Sequence, residues 1–94
     1  MTAIDEGRVR EDLGRRVAEL RIGRSLTQER FAEHHLHCTV QYLQRIERGS
    51  ENLTIVTLVK IANALRVPLV DLFAAPASRE RRPGRPRRSK QARG

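Results

Sequence analysis

The order of apolar and polar positions along the chain predicts an all-α fold. Four apolar residues recur at helical spacing near the start of the chain: Val9, Leu13, Val17 and Leu20. They predict a first helix from about Glu11 to Arg24 with one buried face. No alternation typical of strands and no internal repeat is visible in the sequence. We therefore expect helices packed on helices.

Residues that favour helix ends divide the remaining pattern into four more helices. Thr27 is an N-cap candidate for "TQERFAE", Thr39 for "TVQYLQRIERG" and Thr54 for "TIVTLVKIANALR". Gly49 suits the left-handed residue that ends the third helix. Pro68 stands where proline is tolerated, at the start of a short fifth helix, "PLVDLF".

Composition and charge separate a folded part from a tail. The chain has 94 residues and a net charge of +8, with 38% hydrophobic and 3% aromatic residues, so the core should be aliphatic. Residues 1–73 hold eleven Lys and Arg against ten Asp and Glu, whereas residues 74–94 hold eight against one. We predict an N-terminal extension at 1–10 that could lengthen the first helix, a helical domain at 11–73, and a disordered Arg/Pro-rich basic tail at 74–94.

Targeting and redox signals point to the cytoplasm. The charged N-terminus has no apolar run of signal-peptide length, and the longest apolar stretch, "VPLVDLFAAPA", is too short to cross a bilayer. The single cysteine rules out an internal disulfide. We expect a cytoplasmic protein with no membrane contact.

The stretch "EHHLHC" raises the alternative of a metal- or redox-responsive regulator. It holds all the histidines and the one cysteine of the chain: His34, His35, His37 and Cys38. Zinc sites take ligand pairs from different segments, and no second segment supplies partners. No glycine-rich loop or orienting third residue accompanies His37 and Cys38, as a nucleophilic site would require. We expect no metal, no cofactor and no enzymatic activity.

The outward face of the third helix carries the chemistry that suggests a nucleic-acid partner. Once Leu43 and Ile46 are assigned to the core, the outward positions are Val40, Gln41, Gln44, Arg45 and Arg48. Glutamine and arginine have the donor and acceptor geometry to read adenine and guanine edges. On charge pattern alone, they could equally be ordinary solvated residues.

From Leu13 to Phe73 the chain resembles the phage-repressor (Cro/CI, Xre-type) helix-turn-helix family. The resemblance rests on "LGRRVAELR", "LTQERFAE", "YLQRIERG" and "NLTIVTLVKIANAL". It implies a five-helix lambda-repressor-like domain and a sequence-specific transcriptional regulator of double-stranded DNA. In this family the third helix, here 39–48, lies in the major groove.

The resemblance also implies roles for individual residues. The expected base contacts are Val40, Gln41, Gln44 and Arg45. The expected phosphate contacts are Thr27, Gln28, Thr39, Tyr42, Arg48, Ser50 and Asn52. Arg21 and Glu47 occupy positions that form a structural ion pair between the first and third helices.

One departure from the family pattern lies in the turn. The step from Ala32 to Thr39 is one residue longer than usual, and His35, Leu36 or His37 stands near the missing turn glycine. We expect either a longer turn or a second helix that runs on by one residue.

Two further expectations concern partners. "RRPGRPRR" resembles an AT-hook, with Pro83 in place of the first core arginine, and implies tail contacts to DNA from Arg82, Arg85, Arg87 and Arg88. A solvated polycationic tail is the alternative.

We expect a homodimer, paired through Val67, Leu69, Val70 and Phe73, and no small-molecule effector domain. A protein-interaction module on the same fold, antitoxin-like or an assembly factor, remains an alternative function.

Overall fold

The computed structural model describes residues 3–78, and every regular element within them is helical. In chain order the elements are α1 (Glu6–Gly23), α2 (Gln28–Arg30), a π-helix (Phe31–Leu36), α3 (Val40–Arg48), α4 (Ile55–Leu65) and a 3-10 helix (Leu69–Phe73). The expected all-α fold is confirmed, although the fifth helix is a 3-10 helix. In this part of the chain no helix is long and apolar enough to cross a membrane. The tail arginines expected to contact DNA lie outside the described residues.

The first helix begins earlier than its apolar spacing indicates. Asp5 is its N-cap, and the Asp5 carboxylate accepts a hydrogen bond from the Gly7 backbone N–H at 2.9 Å. Glu6 adds a negative charge beside the positive end of the helix dipole. Half of the expected N-terminal extension is therefore the first turns of α1.

The three threonine N-caps expected from the sequence are all confirmed. The Thr27 hydroxyl accepts from the Arg30 N–H at 3.0 Å, and the Thr39 hydroxyl accepts from the Tyr42 N–H at 3.0 Å. Thr54 caps α4 in the same way at 3.2 Å. Each threonine satisfies an N–H group that the first helical turn leaves unpaired, which fixes where its helix begins.

One core, aliphatic except for Phe31, holds the helices together. Its buried hydrophobic residues are Leu13, Val17, Phe31, Ala32, Leu36, Leu43, Ile46, Leu58, Ile61, Ala62, Leu65 and Leu72. Gly14 lets α1 and α3 approach closely, because a Cβ at this position would lie 2.5 Å from the Ile46 carbonyl oxygen and 2.6 Å from that of Glu47. The position of α3 against α1 therefore depends on a missing side chain.

The additional residue before α3 is accommodated inside the second helix. After Arg30 the helix widens into the π-helix, which takes up one more residue than an α-helical turn. The Cys38 N–H donates to the Ala32 carbonyl at 2.9 Å, and His37 has φ of 56°, the left-handed conformation that glycine adopts most readily. Of the two possibilities, the helix runs on and His37 takes the turn position. Phe31 and Leu36 both stay buried.

The chain remains packed beyond the 3-10 helix. Pro76 is buried, and the Ala77 N–H donates to the Glu19 carboxylate at 2.6 Å. The Arg16 Nε–H donates to the Asp71 carbonyl oxygen at 2.8 Å. The residues that follow Phe73 therefore lie against α1 as far as Ala77.

Candidate nucleic-acid interface

Helix α3 presents a polar face to solvent and an apolar face to the core. Leu43 and Ile46 are buried on the inner face. The exposed residues of the outer face are Gln41, Gln44, Arg45 and Arg48. Val40 is half-buried and packs against the core, so it lies at the edge of this face. Three of the four expected base-contacting side chains thus share one open surface.

An ion pair between Arg21 of α1 and Glu47 of α3 lies beneath this surface. The Arg21 Nε–H donates to Glu47 Oε2 at 2.7 Å, and the Nη2 group donates to Oε1 at 3.1 Å. The Arg21 Nη1 group also donates to the Leu26 carbonyl oxygen at 2.7 Å. The two side chains are 10% and 8% exposed. The sequence expectation placed these residues in a pair, and the structure brings them together with two-point geometry.

Gln28 connects that ion pair to the exposed face of α3. Its Nε2 donates to Glu47 Oε1 at 2.9 Å, and its Oε1 accepts from Gln44 Nε2 at 3.4 Å. Gln28 is half-buried, so the side chain expected to contact phosphate is held by protein groups on both sides. Gln44 contacts Gln28 through its amide nitrogen, so its amide oxygen makes no contact with Gln28.

Arg45 is held in place by two neighbours. Its Nε–H donates to Glu51 Oε2 at 2.6 Å, and its guanidinium lies 5.7 Å from the centre of the Tyr42 ring. Such a distance is within the range of a cation–π interaction. Sequence reasoning did not identify Glu51. The contact depends on how the chain turns back after α3, which residue spacing along a helix does not show.

Five other expected phosphate contacts lie at or just beyond the ends of α2 and α3. Thr27 and Thr39 are exposed N-cap residues, and their helix ends present N–H groups and a positive dipole end, which favour phosphate. Arg48, Ser50 and Asn52 are exposed at the other end of α3. The Ser50 hydroxyl donates to the Arg45 carbonyl oxygen at 3.2 Å, which ties this end of the face together.

The "EHHLHC" stretch is a structural segment in which the histidines lie outside. His34, His35 and His37 are exposed, and Cys38 is half-buried against the core. Burial raises the pKa of the Cys38 thiol, and the nearby Lys60 charge partly opposes that change. Within residues 3–78, no three His, Cys, Asp or Glu side chains are grouped so that they could hold a metal ion.

A second exposed surface is apolar. Val70 is 71% exposed and Phe73 is 52% exposed, with Leu69 beside them in the 3-10 helix. Val67, also expected in this surface, is half-buried against the core. Three apolar residues at the start of α4 are exposed as well: Ile55, Val56 and Val59. Neighbouring exposed apolar residues such as Leu69, Val70 and Phe73 can form an interaction surface.

A family model and a sequence relative both match the helical part of this chain. A family model described as helix-turn-helix (HTH_3) matches residues 17–72. The HTH-type transcriptional regulator y4dJ of Sinorhizobium fredii is 41% identical to this chain over 64 residues, which span 68% of the chain and 82% of that protein.

Solved structures show the same fold. The restriction-modification controller protein C.AhdI of Aeromonas hydrophila is 33% identical with a TM-score of 0.63, covering 67% of this chain and 94% of its own. The clp gene regulator ClgR of Corynebacterium glutamicum is 26% identical with a TM-score of 0.63, covering 68% and 82%. A hypothetical transcription factor, NHTF, from Neisseria is 25% identical with a TM-score of 0.68, covering 81% and 86%.

Proposed function

This chain belongs to the Xre-type helix-turn-helix family and is a DNA-binding transcriptional regulator, and from that premise we propose that it recognises a specific double-stranded sequence with α3 in the major groove. One observation carries the proposal. Gln41, Gln44 and Arg45 share the open face of α3, opposite the buried Leu43 and Ile46. A helix with this division fits the width of the major groove and presents hydrogen-bonding groups to base edges.

The side chains on this face favour particular bases. A glutamine amide can donate to N7 and accept from the N6 amino group of adenine, and an arginine can donate to O6 and N7 of guanine. Val40, at the edge of the face, offers only apolar contact, for which the thymine methyl group is the natural partner. The exposed residues around the face would contact phosphates: Thr27, Thr39, Arg48, Ser50 and Asn52. Tyr42 and Gln28, both half-buried, would contribute from the rim.

We also propose that the protein acts as a homodimer on DNA in the nucleoid. One α3 reads few base pairs, and two copies of α3 in adjacent major grooves would multiply specificity. The exposed apolar surface around Val70 and Phe73 supports pairing, because a self-complementary patch is what a two-fold interface requires. Half-sites would then lie about 34–36 Å apart, or a multiple of that spacing.

Selection of bound duplexes from a random pool tests this function directly. We expect an enriched palindromic motif, lost in Gln44→Ala and Arg45→Ala variants whose melting curves match the parent. Val70→Asp should weaken both self-association in sedimentation experiments and selection of the paired motif. Absence of binding to any duplex at low salt would instead favour the protein-interaction module.

A further inference from the structure

We propose that Glu51 is a positioning residue for base recognition, which fixes Arg45 as a two-pronged donor aimed at one guanine. The inference rests on the function proposed above. Its starting point is the 2.6 Å contact between Arg45 Nε and Glu51 Oε2. Because this contact uses the Nε–H, the terminal Nη1 and Nη2 groups keep their N–H donors for another acceptor. Those groups form the fork that pairs with O6 and N7 of guanine.

The loop that carries Glu51 is held firmly at the end of α3. Gly49 has φ of 86° and turns the chain back, and the Ser50 N–H donates to the Arg45 carbonyl oxygen at 3.0 Å. From α1, the Arg10 Nε–H donates to the Gly49 carbonyl oxygen at 3.3 Å. Glu51 itself is half-buried. The carboxylate is therefore presented from a fixed backbone and not from a mobile side chain on an open surface.

Tyr42 provides the second support for Arg45. Its ring packs partly against the core, and the guanidinium lies 5.7 Å from the ring centre. A long side chain loses much rotamer freedom when it binds, which weakens binding. Here Glu51 and Tyr42 restrict Arg45 before DNA arrives, so that less freedom remains to be lost.

The charge of Glu51 makes its position informative. The loop after α3 flanks the expected phosphate contacts Ser50 and Asn52, and a carboxylate there repels the DNA backbone whatever the sequence. A residue that only added affinity would be neutral or basic at this position. In the structure, Glu51 instead contacts Arg45 on the exposed face of α3. Its expected effect is to lower affinity for all duplexes while it increases discrimination by Arg45.

The test compares base discrimination in the full chain with Glu51 intact and with Glu51→Gln. The motif selected by the parent is compared with the motif selected by Arg45→Lys, and the guanine that the variant no longer distinguishes is taken as the Arg45 contact. The ratio of the affinities for guanine and for adenine at that position is then measured for the parent and for Glu51→Gln. A good bidentate arginine–guanine pair gives discrimination of roughly 5- to 150-fold, and we expect Glu51→Gln to reduce the ratio about threefold. Affinity for a random duplex should rise, because one negative charge is removed.

Two comparisons separate positioning from a general charge effect. Glu33→Gln removes an exposed carboxylate from the π-helix and should leave the guanine ratio unchanged. Glu51→Gln should add no further loss of discrimination in an Arg45→Lys background, because the two residues act through one contact. Melting temperatures of all variants should stay close to that of the parent.

Two results would overturn the inference, and they differ from one another. A parent chain that selects no motif defeats the proposed function itself. A parent that selects a motif, with an unchanged guanine ratio in Glu51→Gln, defeats only the role of Glu51. If Glu51→Gln also binds the motif more tightly at that unchanged ratio, Glu51 merely competes with DNA for Arg45.

Discussion

Replacement of Arg21 by alanine tests whether the buried ion pair determines stability. In the native structure, Arg21 makes two contacts to Glu47 and one to the Leu26 carbonyl oxygen. The Arg21→Ala variant leaves the Glu47 carboxylate buried, with the Gln28 amide still donating to it at 2.9 Å. It also removes the donor that satisfies the Leu26 carbonyl. The variant therefore keeps the unfavourable burial of a charge and loses the compensation for it.

The magnitude follows from the burial of the pair. Breaking a buried ion pair by removing one partner costs about 3–5 kcal/mol, and the retained Gln28 contact favours the lower value. For a domain of this size each kcal/mol lowers the melting temperature by about 4–8 °C, so 3 kcal/mol corresponds to roughly 12–24 °C. The free energy of unfolding of a small domain is about 5–15 kcal/mol in total, so this loss is a large fraction of it.

Thermal unfolding followed by circular dichroism measures this change, and the same helix offers a matched control. Arg8 pairs with Asp12 at 3.9 Å, but the Arg8 side chain is 58% exposed. Exposed pairs contribute about 0–1 kcal/mol, so Arg8→Ala should shift the melting temperature by only a few degrees. A double variant, Arg21→Met with Glu47→Leu, should regain most of the lost stability, because it buries no charge.

Similar melting temperatures for Arg21→Ala and Arg8→Ala would refute the reasoning. That result would mean that the Arg21–Glu47 pair contributes no more than a surface pair despite its burial. A double variant that melts as low as Arg21→Ala would refute a narrower point. It would show that loss of the Leu26 and Gln28 contacts, and not the unpaired charge, accounts for the destabilisation.

Three other changes have distinct expected outcomes. Gly14→Ala should destabilise the fold by about 1–3 kcal/mol in chemical denaturation, because the added Cβ meets α3 backbone oxygens that cannot rotate away. His37→Gly should raise stability by about 1 kcal/mol, since glycine adopts the left-handed conformation without strain, whereas an equal or lower midpoint would contradict that account. Deletion of residues 79–94, which hold eight Lys and Arg against one Glu, should flatten the salt dependence of DNA binding by several units of log–log slope. An unchanged slope would show that the tail does not contact DNA.

Hydrogen bonds connect the buried ion pair to a residue that we expect to contact bases. Glu47 pairs with Arg21 in the interior and also accepts from Gln28, which in turn contacts Gln44 on the exposed face. The orientation of a side chain expected to read bases is therefore linked by hydrogen bonds to the packing of α1 against α3. Variants of Glu47 should change both the melting temperature and the selected motif, so neither measurement alone describes their effect.

The sequence by itself determined where the main helices lie, their order along the chain and the exposed face of α3 that carries Gln41, Gln44 and Arg45. These properties depend on local rules: threonine caps satisfy N–H groups of the next turn, and apolar spacing follows the helical period. The threonine N-caps and the left-handed Gly49 were predicted in this way and are confirmed. The start of α1 at Glu6 was anticipated only as a possible lengthening of the first helix, because Asp5 stands ahead of the first apolar residue of the stripe.

Only the tertiary structure decided how the unusual parts are accommodated. From the sequence, the additional residue before α3 could lengthen either the turn or the helix. In the structure the helix widens and His37 takes the turn position, and both Phe31 and Leu36 are buried. The contact of Glu51 with Arg45 likewise depends on a chain reversal and on support from α1. Such contacts join residues whose separation along the chain carries no periodic signal, so their partners become known only when the helices are packed.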